Sequence, residues 1–159
     1  MSMNELTLEQ QATNFETMKH IRQVGIFLHQ FAIELLNRAD KHDQSKLSTP
    51  EVEAFTEYTP KLANTTYGSE EYKGYLQNIK IALDHHYAKN SHHPEHYKNG
   101  INDMTLVDLL EMFCDWKAAS MRHHDGNILK SIEKNASRFA IDNQLVRIME
   151  NTAKFFDGE

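Results

Sequence analysis

The 159-residue chain predicts an all-α fold, a single domain of about six helices. Three observations carry this expectation. Apolar residues recur at three- and four-residue steps along most of the chain. Only three prolines and six glycines interrupt it. No stretch alternates apolar and polar residues for long enough to build a sheet. One domain over residues 1–159 is long enough to fold around one core without staples.

Residues 1–13 read as a polar, flexible lead-in. Thr13 or Asn14 is expected to cap a long helix running to about Ala39. Its apolar face holds Phe15, Met18, Ile21, Val24, Phe27, Leu28, Phe31, Leu35 and Leu36. His20 shares that partly inward face, where a core-edge histidine bonded to a backbone carbonyl is the plain alternative to a ligand. Further on, Thr49 is a cap, Pro50 suits a first helical turn, and Glu51 and Glu53 complement the positive helix end. That second helix is expected to be interrupted near Pro60 and to end around Tyr67-Gly68. Ser69 caps the next, from residue 70 to about 90, where Tyr72, Leu76, Ile79, Leu83 and His86 form one buried stripe. The stripe carries His86 inward and turns His85 about 100° away.

Residues 91–104 form a long connection, broken by Pro94 and by the turn signal Asn99-Gly100. Connections of this length in compact domains are usually functional, and this one holds His92, His93 and His96. Thr105 to Asp108 is a capping box. It opens a helix to about Arg122 that is apolar nearly all round and therefore expected to be buried, with Cys114 packed as a small hydrophobe. Glu111 and Asp115 share one face of that helix. Buried carboxylates need a cation, so either a metal or a salt bridge to Arg38 or Lys117 is expected there. Two amphipathic helices, about 127–139 and 142–156, complete the chain after a break at Asp125-Gly126-Asn127.

The formal charge of −6 argues against a general nucleic-acid binder, which needs clustered Lys and Arg. It leaves room for a small anionic substrate held by local cations. No apolar run approaches the roughly 20 residues of a membrane span. The first residues lack the basic-then-apolar layout of a signal peptide. A single cysteine suits a reducing, cytoplasmic setting. The composition is unusual only in histidine: ten residues, about three times the ordinary share.

Several of these histidines adjoin acids or one another. His42-Asp43 places an imidazole and a carboxylate within reach of one divalent cation, and Lys46 follows at about one helical turn as a point charge for phosphate. His20 lies upstream; His85-His86, His92-His93 and Asp115 lie downstream. Imidazole and carboxylate ligands without thiolates suit Mn, Fe, Co, Ni or Zn. Arg38 and Arg122 join Lys46 as candidates to hold phosphoryl oxygens. Glu111 or Glu95 is a candidate to take a proton or orient water.

The run His42-Asp43-Gln44-Ser45-Lys46, followed by His92-His93-Pro94-Glu95 and by Asp115-Trp116-Lys117-Ala118 on an apolar helix, resembles the signature of the HD-domain superfamily of metal-dependent phosphohydrolases. The resemblance covers roughly residues 18–120 and extends to small HD-like proteins of bacteria and phages. It implies an HD-like helical bundle in which His20, His42, Asp43 and Asp115 hold one metal. It also implies that His86 and one of His92 or His93, here His93, hold a second, with Asp43 bridging and Lys46 on phosphate. The Gly-Tyr-Pro element of the cyclic-dinucleotide branch is absent. The leading expectation is hydrolysis of a nucleotide or related small phosphate ester. A di-iron oxygenase and a non-enzymatic, metal-stabilised interaction protein are the alternatives.

Overall fold

Thr7 and Gln10 bond reciprocally: the Thr7 amide donates to Gln10 Oε1 at 2.9 Å, and the Gln10 amide to Thr7 Oγ1 at 3.2 Å. This capping box starts the first helix, α1 (Leu8–Lys41), ahead of the expected Thr13–Asn14 cap, so residues 8–13 are helix rather than lead-in. The protein is a computed structural model that describes residues 6–66, 69–122 and 126–157. Among these, six more α-helices follow: α2 (Glu51–Ala63), α3 (Glu70–Asn78), α4 (Lys80–Lys89), α5 (Leu106–Ser120), α6 (Ile128–Phe139) and α7 (Asn143–Asp157). Short 3-10 turns cover Gln44–Leu47, Pro94–His96 and Gly100–Asp103. The fold is all-α, with no strand among the described residues.

The chain divides into two units, one ending at Asp40 and the other beginning at Lys41. The first consists of α1 over its described residues, and none of its side chains is buried. Phe15, Met18, Ile21, Phe27 and Phe31, expected on a core face, are all exposed.

In the second unit, α5, α6 and α7 build the core from Met112, Phe113, Trp116, Ile128, Ile132, Ile141, Met149 and Ala153. The Asn127 side chain caps α6 by accepting from the Leu129 and Lys130 amides, and Asp142 accepts from the Gln144 amide at the start of α7. The expected break at Asp125-Gly126-Asn127 falls partly outside the described residues, as does the Tyr67-Gly68 end of the second helix. Thr105 and Asp108 form the expected capping box of α5. However, α5 is not buried all round: Leu106 and Cys114 are exposed.

Beside this core, α2 packs on α3 and α4 and on the Gln44–Leu47 turn. Pro60 sits inside α2 without ending it. It lies in the last turn, where few further helical bonds depend on it, and the Asn64 side chain caps its carbonyl. The expected helix 70–90 is two helices joined at Ile79, a buried residue with φ −90° and ψ 7°. In the 91–104 connection, Gly100 adopts φ 57°, the left-handed conformation that glycine enters without steric cost.

Candidate metal centre

After α1 ends at Lys41, Asp43 takes a left-handed conformation, φ 56° and ψ 14°, that aspartate tolerates better than most residues. The turn that follows, Gln44–Leu47, returns Lys46 to Asp43, with Nζ 2.6 Å from Oδ2. The other carboxylate oxygen faces histidines. His86 Nε2 lies 3.3 Å and His92 Nε2 3.6 Å from Asp43 Oδ1. His93 Nε2 is 2.9 Å from His86 Nε2. Asp43, His86, His92 and His93 thus offer four ligand atoms within 4.8 Å of one another. A second set shares Asp43: His42 Nε2 is 3.5 Å from Asp43 Oδ2 and 3.7 Å from Asp115 Oδ1.

Two carboxylates, Glu51 fully buried and Glu111 partly so, set the direction of the imidazoles. Glu51, fully buried, accepts from His86 Nδ1 at 2.8 Å and from His85 Nδ1 at 2.7 Å. Ser45 Oγ donates to Glu51 Oε2 as well, at 3.1 Å. Glu111 Oε1 lies 2.9 Å from His42 Nδ1 and 3.1 Å from His92 Nδ1. An ionised carboxylate only accepts, so the Nδ1 atoms of His86 and His92 carry protons and their Nε2 atoms turn toward Asp43. This is how carboxylates commonly orient metal-binding histidines.

The electrostatics follow from the same contacts. Burial among other imidazoles lowers the His93 pKa to about 3, so its imidazole is neutral. Burial and the charge of Lys46 also lower that of His86. Burial opposes ionisation of Asp43, but the hydrogen bond and charge of Lys46 outweigh it and hold the carboxyl below its ordinary value. His42, between Asp115 and Glu111, is raised to about 10 and carries positive charge among the acids.

A divalent ion fits the Asp43, His86, His92 and His93 set on one observation above all. Asp43 Oδ1 and His92 Nε2 are buried side-chain atoms without a hydrogen-bond partner. Buried polar groups of this kind cost about 1–3 kcal/mol each when unsatisfied. These two face each other beside the close His86–His93 nitrogen pair, so one cation would satisfy all four ligand atoms.

The family model of DUF5662 matches residues 9–156. The chain belongs to DUF5662, a family of unknown function. No curated protein and no solved structure matches it.

In this DUF5662 chain the expected site residues separate into groups. His42, Asp43, His86, His93 and Asp115 are brought together. His20 and Arg38 lie on α1 in the first unit. His20 is exposed and in none of the ligand groups, and Arg38 pairs with Glu34 at 3.0 Å. Arg122 is exposed beyond the end of α5. Glu111 orients two imidazoles, and Glu95 pairs with Arg138 at 2.7 Å.

His92, the alternative to His93 in the resemblance, is 1% exposed and offers a ligand atom alongside His93 rather than instead of it. Two other residues beside the centre carry no such signal in the sequence. Glu51 had a sufficient explanation as a first-turn acid, so its burial against two histidines left no mark in the pattern. Arg138 stands far along the chain on α6, yet it lines a cavity of about 240 Å³ with His93 and Asp115. Trp116, Phe139 and Asn135 form other parts of the cavity wall.

Proposed function

We propose that this DUF5662 member is a metal-dependent phosphohydrolase acting on a nucleotide or related small phosphate ester. Asp43, His86, His92 and His93 would hold one divalent transition ion (Mn, Fe, Co, Ni or Zn), and His42, Asp43 and Asp115 are disposed to hold a second. The observation that carries this reading is the buried, unpartnered pair Asp43 Oδ1 and His92 Nε2 inside a ring of oriented imidazoles. When bound, such an ion lowers the pKa of water toward neutrality and polarises phosphoryl oxygens.

The chain's own groups have separate tasks in this reading. Glu51 and Glu111 keep His86 and His92 in the tautomer that exposes Nε2, and Glu111 holds His42 by Nδ1, whose Nε2 proton a second ion would displace. Lys46 brings a compact positive charge to Asp43, where it can also meet a phosphoryl oxygen. Because Glu111 and Glu95 are already bonded to cations or imidazoles, both act as positioning residues and not as proton acceptors. A cytoplasmic setting belongs to the same proposal; among the described residues no helix is long and apolar enough to cross a membrane.

The test is elemental analysis of the purified protein together with a phosphate-release screen over nucleotides and small phosphate monoesters. Release that requires metal and falls at least tenfold in Lys46→Ala, with metal content retained, is the expected result. No release from any ester by the metal-loaded protein would overturn the hydrolase reading. Iron content with oxygen consumption would replace it with an oxygenase.

A further inference from the structure

Residues that hold the proposed ion also form one end of a second feature, the cavity between the 91–104 connection, α5 and α6. His93 and Asp115 line it, and so does Arg138, whose side chain is half exposed. Arg138 lies over the Phe139 ring, 4.7 Å from its centroid, and Phe139 is stacked on Trp116 with an interplanar angle of 6°. Its Nη2 meets Glu95 Oε1 at 2.7 Å. Glu95 comes two residues after His93, so the connection that brings the imidazole to the centre also brings the carboxylate that engages the arginine.

We infer that Arg138 is the anion-binding residue of this cavity. It takes a phosphoryl group that enters from the Glu95 side, and Glu95 occupies the same guanidinium until that group arrives. This rests on the phosphohydrolase reading for the identity of the anion. A guanidinium offers a planar fork of donors that matches phosphate oxygens as well as it matches a carboxylate, so exchange of one partner for the other needs little rearrangement. The other cations expected to bind phosphate are less well placed. Neither Arg122 nor Lys46 lines the cavity; Lys46 sits instead at Asp43, on the ion's side. A volume of about 240 Å³ is below the roughly 300–1,000 Å³ of cavities for drug-sized ligands. The volume favours a small phosphate monoester over an oligonucleotide.

The experiment is calorimetric titration of inorganic phosphate into the metal-loaded protein, its Arg138→Gln variant and its Glu95→Gln variant, with metal content measured for each. Glutamine retains part of the stem over Phe139 and removes the fork. Arg138→Gln is expected to weaken phosphate binding about tenfold, and Glu95→Gln to tighten it about threefold by releasing the guanidinium, both at wild-type metal content. Tighter binding cannot come from misfolding, so the second variant guards the first. Phosphate affinity unchanged in Arg138→Gln, or absent in the wild type, overturns the inference. Ester hydrolysis in a protein whose phosphate affinity ignores Arg138 leaves the phosphohydrolase reading standing without it. Arg138-dependent phosphate binding without hydrolysis of any ester supports the anion site and removes the hydrolase.

Discussion

Helix α1 and the segment from Lys41 onward begin with similar material and end differently. Both carry apolar residues at helical spacing, and both carry histidines. In α1 no side chain is buried, and His20 and His29 are exposed. In the second segment Ile132 is fully buried, Met112 and Phe113 nearly so, and His86 and His92 are 2% and 1% exposed with a carboxylate at each Nδ1. Periodicity is enough to make a helix. It does not make a core or a site, which need partners from distant positions to exclude water and satisfy the polar atoms left inside.

The largest way to break this contrast is at the shared carboxylate. Asp43→Asn should abolish most bound metal, because it removes the negative charge between the two ligand sets and places an amide among lone pairs. Elemental analysis of the purified variant reads this directly, and wild-type metal content would dissolve the centre as described.

Next in size is the packing difference. Ile132→Ala should cost about 2–5 kcal/mol in denaturant unfolding, as expected for a buried isoleucine in a packed interior. Phe27→Ala on α1, where the side chain is 53% exposed, should cost much less, under about 1 kcal/mol. Comparable losses would mean that α1 is as tightly partnered in solution as the helices of the core.

A third comparison separates two acids on the same turn of α2. Glu51→Gln should weaken metal affinity about 10- to 100-fold by loosening the orientation of His86, whereas Glu53→Gln should leave it unchanged. Metal titration with a competing chelator measures both. Equal behaviour would reduce Glu51 to the helix-end acid its position suggests.

The smallest expected effect concerns the first unit. His20→Ala should keep wild-type metal content, because all three ligand groups form without it. Loss of metal in that variant would show that the centre draws on α1, as the HD-type resemblance implies.

Legibility varied with the range of the interaction. The capping residues Ser69 and Thr105 are readable because a cap bonds amides two or three residues away. The Thr7–Gln10 box is equally local, but it stands in a mostly polar stretch with only Leu6 and Leu8 beside it, too few apolar residues to show a helical period. His86 stood out because the Tyr72–Leu83 stripe continues into it. Glu51 and Arg138 did not, since a first-turn acid and a surface cation look the same whether or not a cavity lies beside them.

The sequence by itself determined that the chain is helical, roughly where its helices run, and that His42-Asp43 with the later histidine pairs is material for a metal. Those properties come from spacing and short-range bonding, which the order of residues sets directly. Only the tertiary structure decided that His92 joins His93, that Glu51 and Glu111 orient the imidazoles, and that Arg138 shares a cavity with His93 and Asp115. It also decided that α1 buries none of its apolar face. Each of these depends on which surfaces meet after folding, and burial, orientation and unpartnered atoms exist only once they have met.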